Sequence, residues 1–441
     1  MPLSRVRLLV ACLFMAGSSA ATAVACLPDY MFDAPADAAP GADSAPSPDG
    51  PIDGADASTD TALAADADAA SPVDGPLTPS VVGVGQSASC ALLPDGTVQC
   101  WGSNTLASLG ADEPPDAFSY VPQPVPGLTQ VTAMSVGSAQ VCVVIDGGVV
   151  DCWGYGGDGE LGTGDISQDV PTPIKALQFE DGGTIGSVAA GSKHTCAIAT
   201  DGITLWCWGY YAGTSPDNSS TAPVYLATLD AAAVEMAAGE GVTCERDVNG
   251  AVWCWGENNQ GVLGQGDGLS LSSYSVTPLR IPLGTAAAQL AVGRYQVCVV
   301  TTAHDILCWG DDTLGQFGTV EPPDGGTYLA SPTAIPFGGG HVTKVGCGDR
   351  HTCALYDDGG IQSWGYNYDG ELGIPAPPNG QPYPVSVPNL GAATDLVVHY
   401  ESACAKLVGG GVACWGNDSS GQLGAGMLPA MPIGAFPVTF P

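Results

Sequence analysis

The chain has 441 residues, with 45 acidic side chains against 10 basic ones and a formal net charge of −35. That balance repels phosphate backbones and disfavours a nucleic-acid partner. An apolar share of 45% excludes a wholly disordered chain, and the length allows either several ordinary domains or one large repeat domain.

The N-terminus reads as an export signal over residues 1–25. Arg5 and Arg7 precede an apolar stretch from Leu8 to Gly17, and the small-residue triplets Ala21-Thr22-Ala23 and Ala23-Val24-Ala25 follow. The stretch is too short to span a bilayer as a mature helix. Cys26 follows directly. Ala23-Val24-Ala25-Cys26 looks like a bacterial lipobox, in which the cysteine is lipidated and the only membrane attachment is that anchor. The lipobox prefers Leu where Ala23 stands, so ordinary cleavage with Cys26 incidental is the alternative. Residues 27–80 hold 11 Asp and no Glu, Lys or Arg. This Ala/Asp/Pro-rich run cannot bury enough apolar surface to offset its ordering entropy, and reads as a disordered acidic linker. Its ends would sit roughly 40 Å apart as a flexible coil, which suits a tether.

From residue 81 onward the chain repeats. Trp-Gly recurs at Trp101, Trp153, Trp208, Trp255, Trp309, Trp364 and Trp415, at intervals of 47–55 residues. Each copy opens with a short apolar run ending in Gly or a variant. Next come a Cys with an apolar run, a turn such as Pro94-Asp95-Gly96 or Asn249-Gly250, and a return run ending in Cys-Trp-Gly. Such turns between apolar runs are hairpin signals. A Gly-rich loop with Leu-Gly or Phe-Gly follows, and a Pro-rich strand closes most copies. Copy three departs in the loop, with Tyr210-Tyr211-Ala212-Gly213.

The pattern Gly-x-x-His-Thr-Cys-Ala-Leu/Ile, then Asp-Gly, then Trp-Gly-x-Asn-x-x-Gly-x-Leu-Gly resembles the repeat of the regulator of chromosome condensation family. Gly191 to Trp208, Gly348 to Gly373 and Trp415 to Gly424 carry it best. The resemblance implies an all-β fold over residues 81–441, a seven-bladed β-propeller of four-stranded antiparallel blades. Physical reasoning agrees, because hairpins apolar on both faces must bury both against neighbours. The final strand, Phe436 to Phe440, matches the unit-closing run with nothing after it. It is expected to pair within the blade begun near Pro79 and so close the ring.

Cysteine spacing predicts one staple per hairpin. Cys90 with Cys100, Cys142 with Cys152, Cys244 with Cys254, Cys298 with Cys308 and Cys404 with Cys414 are equidistant from their turns. Cys196 with Cys207 is one residue longer. Equidistant residues face one another across the ladder. In copy six the opposite position is Ser363, so Cys353 is assigned to Cys347. Each staple should contribute about 2–3 kcal/mol by the chain-entropy argument. A metal reading is weak, since each hairpin offers two thiolates and no His pair. The tryptophans, one residue past the second Cys, point to the other blade face as interblade core.

Three of the few basic residues, Lys193, Arg294 and Arg350, fall in the short loop before a blade's first Cys, with Tyr295 and Tyr400 in the same loops. Repeat geometry gathers these loops on one rim near the axis, so the five residues form the candidate binding set. Surface charge balance is the alternative. His194 and His351 read as structural, at a position where the family repeat often has His. Asp158-Gly159-Glu160 and Asp311-Asp312 invite a calcium reading but follow no calcium-loop pattern, so solvated turns are preferred. No nucleophile elbow, zinc-protease helix or phosphate loop appears. The expected function is a non-catalytic, exported or cell-surface binding module. It needs no cofactor or metal, acts as a monomer and takes an unknown extracellular protein or surface ligand on one propeller face. The alternatives are an inhibitor of a secreted enzyme, as in certain bacterial β-lactamase inhibitors built on similar repeats, and an extracellular enzyme with a rim site.

Overall fold

The computed structural model describes residues 78–440, except loop positions 112–113, 115–116, 167–168, 177–182, 211–218, 267–268, 272, 319–327, 337–339, 376–380 and 427–433. The expected signal, Cys26 and nearly all of the linker lie outside the described residues. So does most of the divergent loop of copy three.

Seven four-stranded antiparallel sheets follow one another along the chain, each made of four consecutive strands. Blade 1 shows the pattern, with strands Val81–Val84, Ala88–Leu92, Val98–Ser103 and Phe118–Pro124 in that spatial order. The first strands of all seven blades line an axial channel of about 280 Å³. The Pro-rich fourth strands form the outer edges. Pro122, Pro171, Pro223, Pro278, Pro332, Pro384 and Pro437 lie within these edge strands, where a missing N–H breaks no ladder and blunts sheet-to-sheet pairing.

The second and third strands are almost wholly buried, and their two faces bury different things. In blade 1, Cys90 and Cys100 pack against Met134, Val136, Val143 and Trp153 of blade 2. On the other face, Trp101 packs against Cys404, Cys414 and Leu423 of blade 7. Each interblade layer therefore sets one blade's cysteines against the next blade's tryptophan. All seven tryptophans of the Trp-Gly pairs are at most 1% exposed. Five of them donate the indole N–H to a carbonyl in the preceding blade's Gly-rich loop. The acceptors are Gln422, Ser108, Glu160, Val262 and Gln316, at 2.7–3.0 Å. That loop is itself fixed by an Asn or Asp just after Trp-Gly. Asn258, Asp312, Asn367 and Asp418 each accept the N–H of a buried Leu or Phe five residues later, at 2.9 Å. The glycine after each tryptophan adopts φ of 94–113°. At Gly102 a Cβ would also lie 2.3 Å from the Ser87 carbonyl oxygen, so no other residue fits there without a shift.

Six disulfides join the expected pairs. Cys90 bonds to Cys100, Cys142 to Cys152, Cys196 to Cys207, Cys244 to Cys254, Cys298 to Cys308 and Cys404 to Cys414. In each pair the partners lie directly opposite across the second and third strands, with Cα atoms 4.0–4.2 Å apart. The extra residue between Cys196 and Cys207 is taken up in the turn, since Cys196 still pairs in register with Cys207. Cys152 and Cys254 likewise sit in register opposite Cys142 and Cys244.

The seventh assignment is corrected: Cys347 and Cys353 are buried and free. Cys353 pairs in register with Gly346, and Cys347 with Thr352. Adjacent strand residues point to opposite faces, so the two thiols lie on opposite sides of the sheet. Cys347 packs with Cys298 and Cys308 of blade 5, and Cys353 with Leu396 and Ala403 of blade 7. Ser363 Oγ donates to Cys353 Sγ at 3.1 Å instead.

The expected strand exchange is also corrected. Phe436–Val438 pairs with Val412, Ala413 and Cys414 of its own blade. The propeller begins on an inner strand and ends on an outer one, so no strand is left to donate. Blade 7 and blade 1 close the ring by packing and side-chain bonds. His399 Nδ1 lies 3.1 Å from the Val84 carbonyl, and Ser89 Oγ donates to the Gln422 carbonyl at 2.8 Å. The ring of Phe440 meets Trp101 edge-on at 5.9 Å.

Candidate functional site: the axial loop face

Up-and-down strands put the loops after the first and third strands on the same face. Backbone bonds tie the two loops of each blade together, as in Tyr155 N–H to the Ala139 carbonyl and Tyr366 N–H to the Arg350 carbonyl, both 2.9 Å. The inner loops nearly touch around the axis. Their first residues are Gly85, Gly137, Gly191, Gly239, Gly293, Gly348 and Tyr400. A Cβ on any of the six glycines would come within 2.1–2.7 Å of the next blade's carbonyl oxygen. Backbone bonds cross between blades here, such as Ser192 N–H to the Gly239 carbonyl at 2.9 Å and Asp349 N–H to the Tyr400 carbonyl at 2.6 Å.

Tyr400 is the exception in this glycine circle. It holds φ of 48°, uncommon for an aromatic residue, and its side chain crosses to the far side of the ring. Its hydroxyl bonds to Ser192 of blade 3 and Ser138 of blade 2. Burial pushes its pKa up to about 12, so it stays neutral and able to donate. The network continues through every blade. Ser138 Oγ donates to Gln86 Oε1 at 2.9 Å, and Ser192 Oγ to Glu240 Oε2 at 3.1 Å. Arg294 then forms ion pairs with Glu240 at 3.1 Å and Asp349 at 3.3 Å. Burial works against the Arg294 charge, but Asp349 and Glu240 more than offset it and hold the guanidinium above its ordinary value.

Above this network lies a cavity of about 310 Å³, lined by residues of all seven blades. Of the candidate binding set, Lys193, Arg294 and Tyr400 line it. Tyr295 does not line it, but its ring centre lies 5.0 Å from the Arg294 guanidinium. Arg350 is exposed in the adjoining inner loop and does not line the cavity. The sequence reasoning missed the second ring of loops. From that ring, Leu106 of blade 1 and Tyr155 and Asp158 of blade 2 line the cavity, beside Glu401 of the blade 7 inner loop. Tyr210 packs under Lys193 at 5.8 Å, and Tyr366 stacks with the 71% exposed Tyr368. The available signal was the residue after each Trp-Gly, which is Tyr in blades 2, 3 and 6.

His194 and His351 lie inside the fold. They are 1% exposed, and burial lowers their pKa values to about 4 and about 3. His194 Nε2 lies 2.6 Å from Thr243 Oγ1 of the next blade. Gln140 and Gln296 fill the same position and donate to next-blade carbonyls at 2.8 Å. His304 and His341, unconnected by spacing, stack at 4.8 Å. The Asp-rich turns make local bonds. Asp311 accepts from Thr313 and Gln316, and Glu160 accepts the Asp158 N–H at 2.9 Å. Among the described residues no group of three or more His, Cys, Asp or Glu could hold a metal ion.

The regulator of chromosome condensation (RCC1) repeat matches residues 81–106, 148–210, 249–300 and 304–371. The chain is thus a seven-bladed β-propeller that carries RCC1 repeats over those residues. It is similar to the ultraviolet-B receptor UVR8 of Arabidopsis thaliana, 30% identical over 251 residues and 55% of each chain. It is 26% identical to the guanine nucleotide exchange factor SRM1 of Saccharomyces cerevisiae over 265 residues, covering 51% of this chain and 54% of that one. The chain thus spans about half the length of these two relatives. Yeast RCC1 (Prp20), solved bound to Kap60, has the same fold at a TM-score of 0.68 and 19% identity, covering 82% of this chain and 85% of that one.

Proposed function

We propose that this propeller is an exported interaction module that takes a protein or surface ligand on its axial loop face. One observation carries the reading: side chains from all seven blades converge on one cavity at the axis, ringed by tyrosines and by Lys193, Arg294 and Arg350. Concave, polar-lined sites with tyrosine and arginine at their centre are where binding energy concentrates. The export signal, the lipobox-like Cys26 and the six disulfides support display in an oxidising compartment. Receptor and exchange-factor activities belong to the named relatives. Nucleotide exchange is not carried over, because the export signal read from the sequence, the disulfides and the chain's acidic charge disfavour it.

The test is capture from cell envelope with wild-type protein and with a Lys193→Ala/Arg350→Ala/Tyr368→Ala variant. All three positions are exposed on the face, so the fold should hold. The expected outcome is loss of a specific partner from the variant. Unchanged capture would remove this face from the function.

A further inference from the structure

At the end of the strands opposite the axial loop face, the hairpin turn of blade 5 meets the entry to blade 6. His304 sits in that turn, and His341 directly precedes the first strand of blade 6, Val342–Cys347. Their rings stack with centroids 4.8 Å apart and planes 9° from parallel. His304 Nδ1 lies 3.0 Å from the Val342 carbonyl, which sets the ring proton on Nδ1 and leaves the lone pair on Nε2. On the other ring, Asp357 Oδ2 stands 3.8 Å from His341 Nδ1 and favours a proton there too. Both imidazoles thus present Nε2 as an acceptor, each with an oxygen behind its other nitrogen. That outer arrangement accompanies metal-ligating histidines, because it sets the tautomer and makes the remaining nitrogen a better donor of its lone pair to a metal. The chain has five histidines. His194 and His351 are buried, and His399 is held in the axial channel. Only His304 and His341 are exposed.

We infer that His304 and His341 form a two-nitrogen site for a divalent transition-metal ion, with copper(II) the preferred occupant and water in its remaining positions. Imidazole suits copper, nickel and zinc, and affinity for a given nitrogen site peaks at copper. Stacked rings do not aim at one point, so one of them must turn. His341 is the one that can, because its side chain is 71% exposed and its Nδ1 is held only by the 3.8 Å contact with Asp357. His304 stays anchored on the Val342 carbonyl. Metal–nitrogen bonds of about 2 Å then join rings that already lie side by side, so little ordering entropy is lost on binding. The bridge ties blade 5 to blade 6, where Cys353 faces Ser363 in place of a disulfide. The net charge of −35 favours the approach of a cation.

Titration of the full chain with Cu²⁺ alone, followed by calorimetry and electron paramagnetic resonance, tests this. Wild type is compared with His304→Asn and His341→Gln. Residue 304 has φ of 68°, which asparagine tolerates, so the fold should hold, and near-ultraviolet circular dichroism confirms it. The expected result is one Cu²⁺ bound to wild type through two nitrogens, with a raised thermal midpoint. Each variant should lose at least about tenfold in affinity, since changes to outer-shell partners alone cost that much. Zn²⁺ should take the same site more weakly. Absence of Cu²⁺ binding overturns the site. Binding unchanged in both variants places copper on other groups and overturns it as well. Loss in one variant only, with a single-nitrogen signal, overturns the bridge between the two histidines. Tighter binding of Zn²⁺ than of Cu²⁺ would overturn the copper preference.

Discussion

Single carboxyls buried where neighbouring blades use amides set a pH dependence. Glu160 and Glu371 stand in the Gly-rich loop at the position of Gln316 and Gln422, and all four accept a backbone N–H from two residues earlier. Burial raises the pKa of Glu160 to about 8 and of Glu371 to about 7. The folded state then holds these protons more tightly than the unfolded chain, whose glutamates ionise near 4.5. Their contribution is fully present below about pH 4.5 and is lost as pH rises through 7 to 8. Glu160→Gln and Glu371→Gln should therefore be neutral near pH 4.5 and stabilising by at least about 1 kcal/mol near pH 8, read by thermal unfolding at both values. Equal effects at both pH values would show that these carboxyls are not held protonated by the fold.

At the scale of the strand and hairpin, the repeat was legible because each signal has a single physical cause. Cysteines equidistant from a turn must face one another, as Cys142 faces Cys152 and Cys244 faces Cys254. A glycine after each of the seven repeating tryptophans marks a backbone that tolerates no Cβ. Two readings failed because they needed the phase of a strand rather than its existence. The assignment of Cys353 to Cys347 followed from sequence proximity, whereas the ladder register puts the two side chains on opposite faces. The exchange of Phe436–Val438 followed from an apparently unpartnered last strand, whereas the first blade already holds four of its own. Blade 6 offers a direct check, since Ser363 lies where the other blades have their second cysteine. Ser363→Cys should form a seventh cross-strand disulfide and stabilise by about 2–3 kcal/mol. Thiol labelling of unreduced, denatured protein should then fall from two free propeller cysteines, Cys347 and Cys353, to Cys347 alone. Persistence of both in the variant would mean that the blade 6 register differs from that of its neighbours.

For the molecule as a whole, closure and function meet at the axis. Six glycines let the inner loops approach, and Tyr400 replaces the seventh and carries a hydroxyl across the ring to blades 2 and 3. The loops' shared rim was foreseeable from the repeat, because every copy places the same loop at the same radius. The contribution of the third-strand loops to the cavity was not. The cavity joins Asp158 of one loop type to Glu401 of another, residues that are distant in sequence and that only the closed ring brings together. The central claim is that partners meet this one face. Hydrogen exchange of the protein, free and bound to the envelope partner retained by wild type, tests it most directly. Added protection should fall on the loops after the first and third strands of several blades, including residues 137–139, 191–193, 239–241 and 348–350. Protection confined to the opposite turns, such as residues 146–148 and 357–360, or to the Pro-rich outer strands, would contradict it.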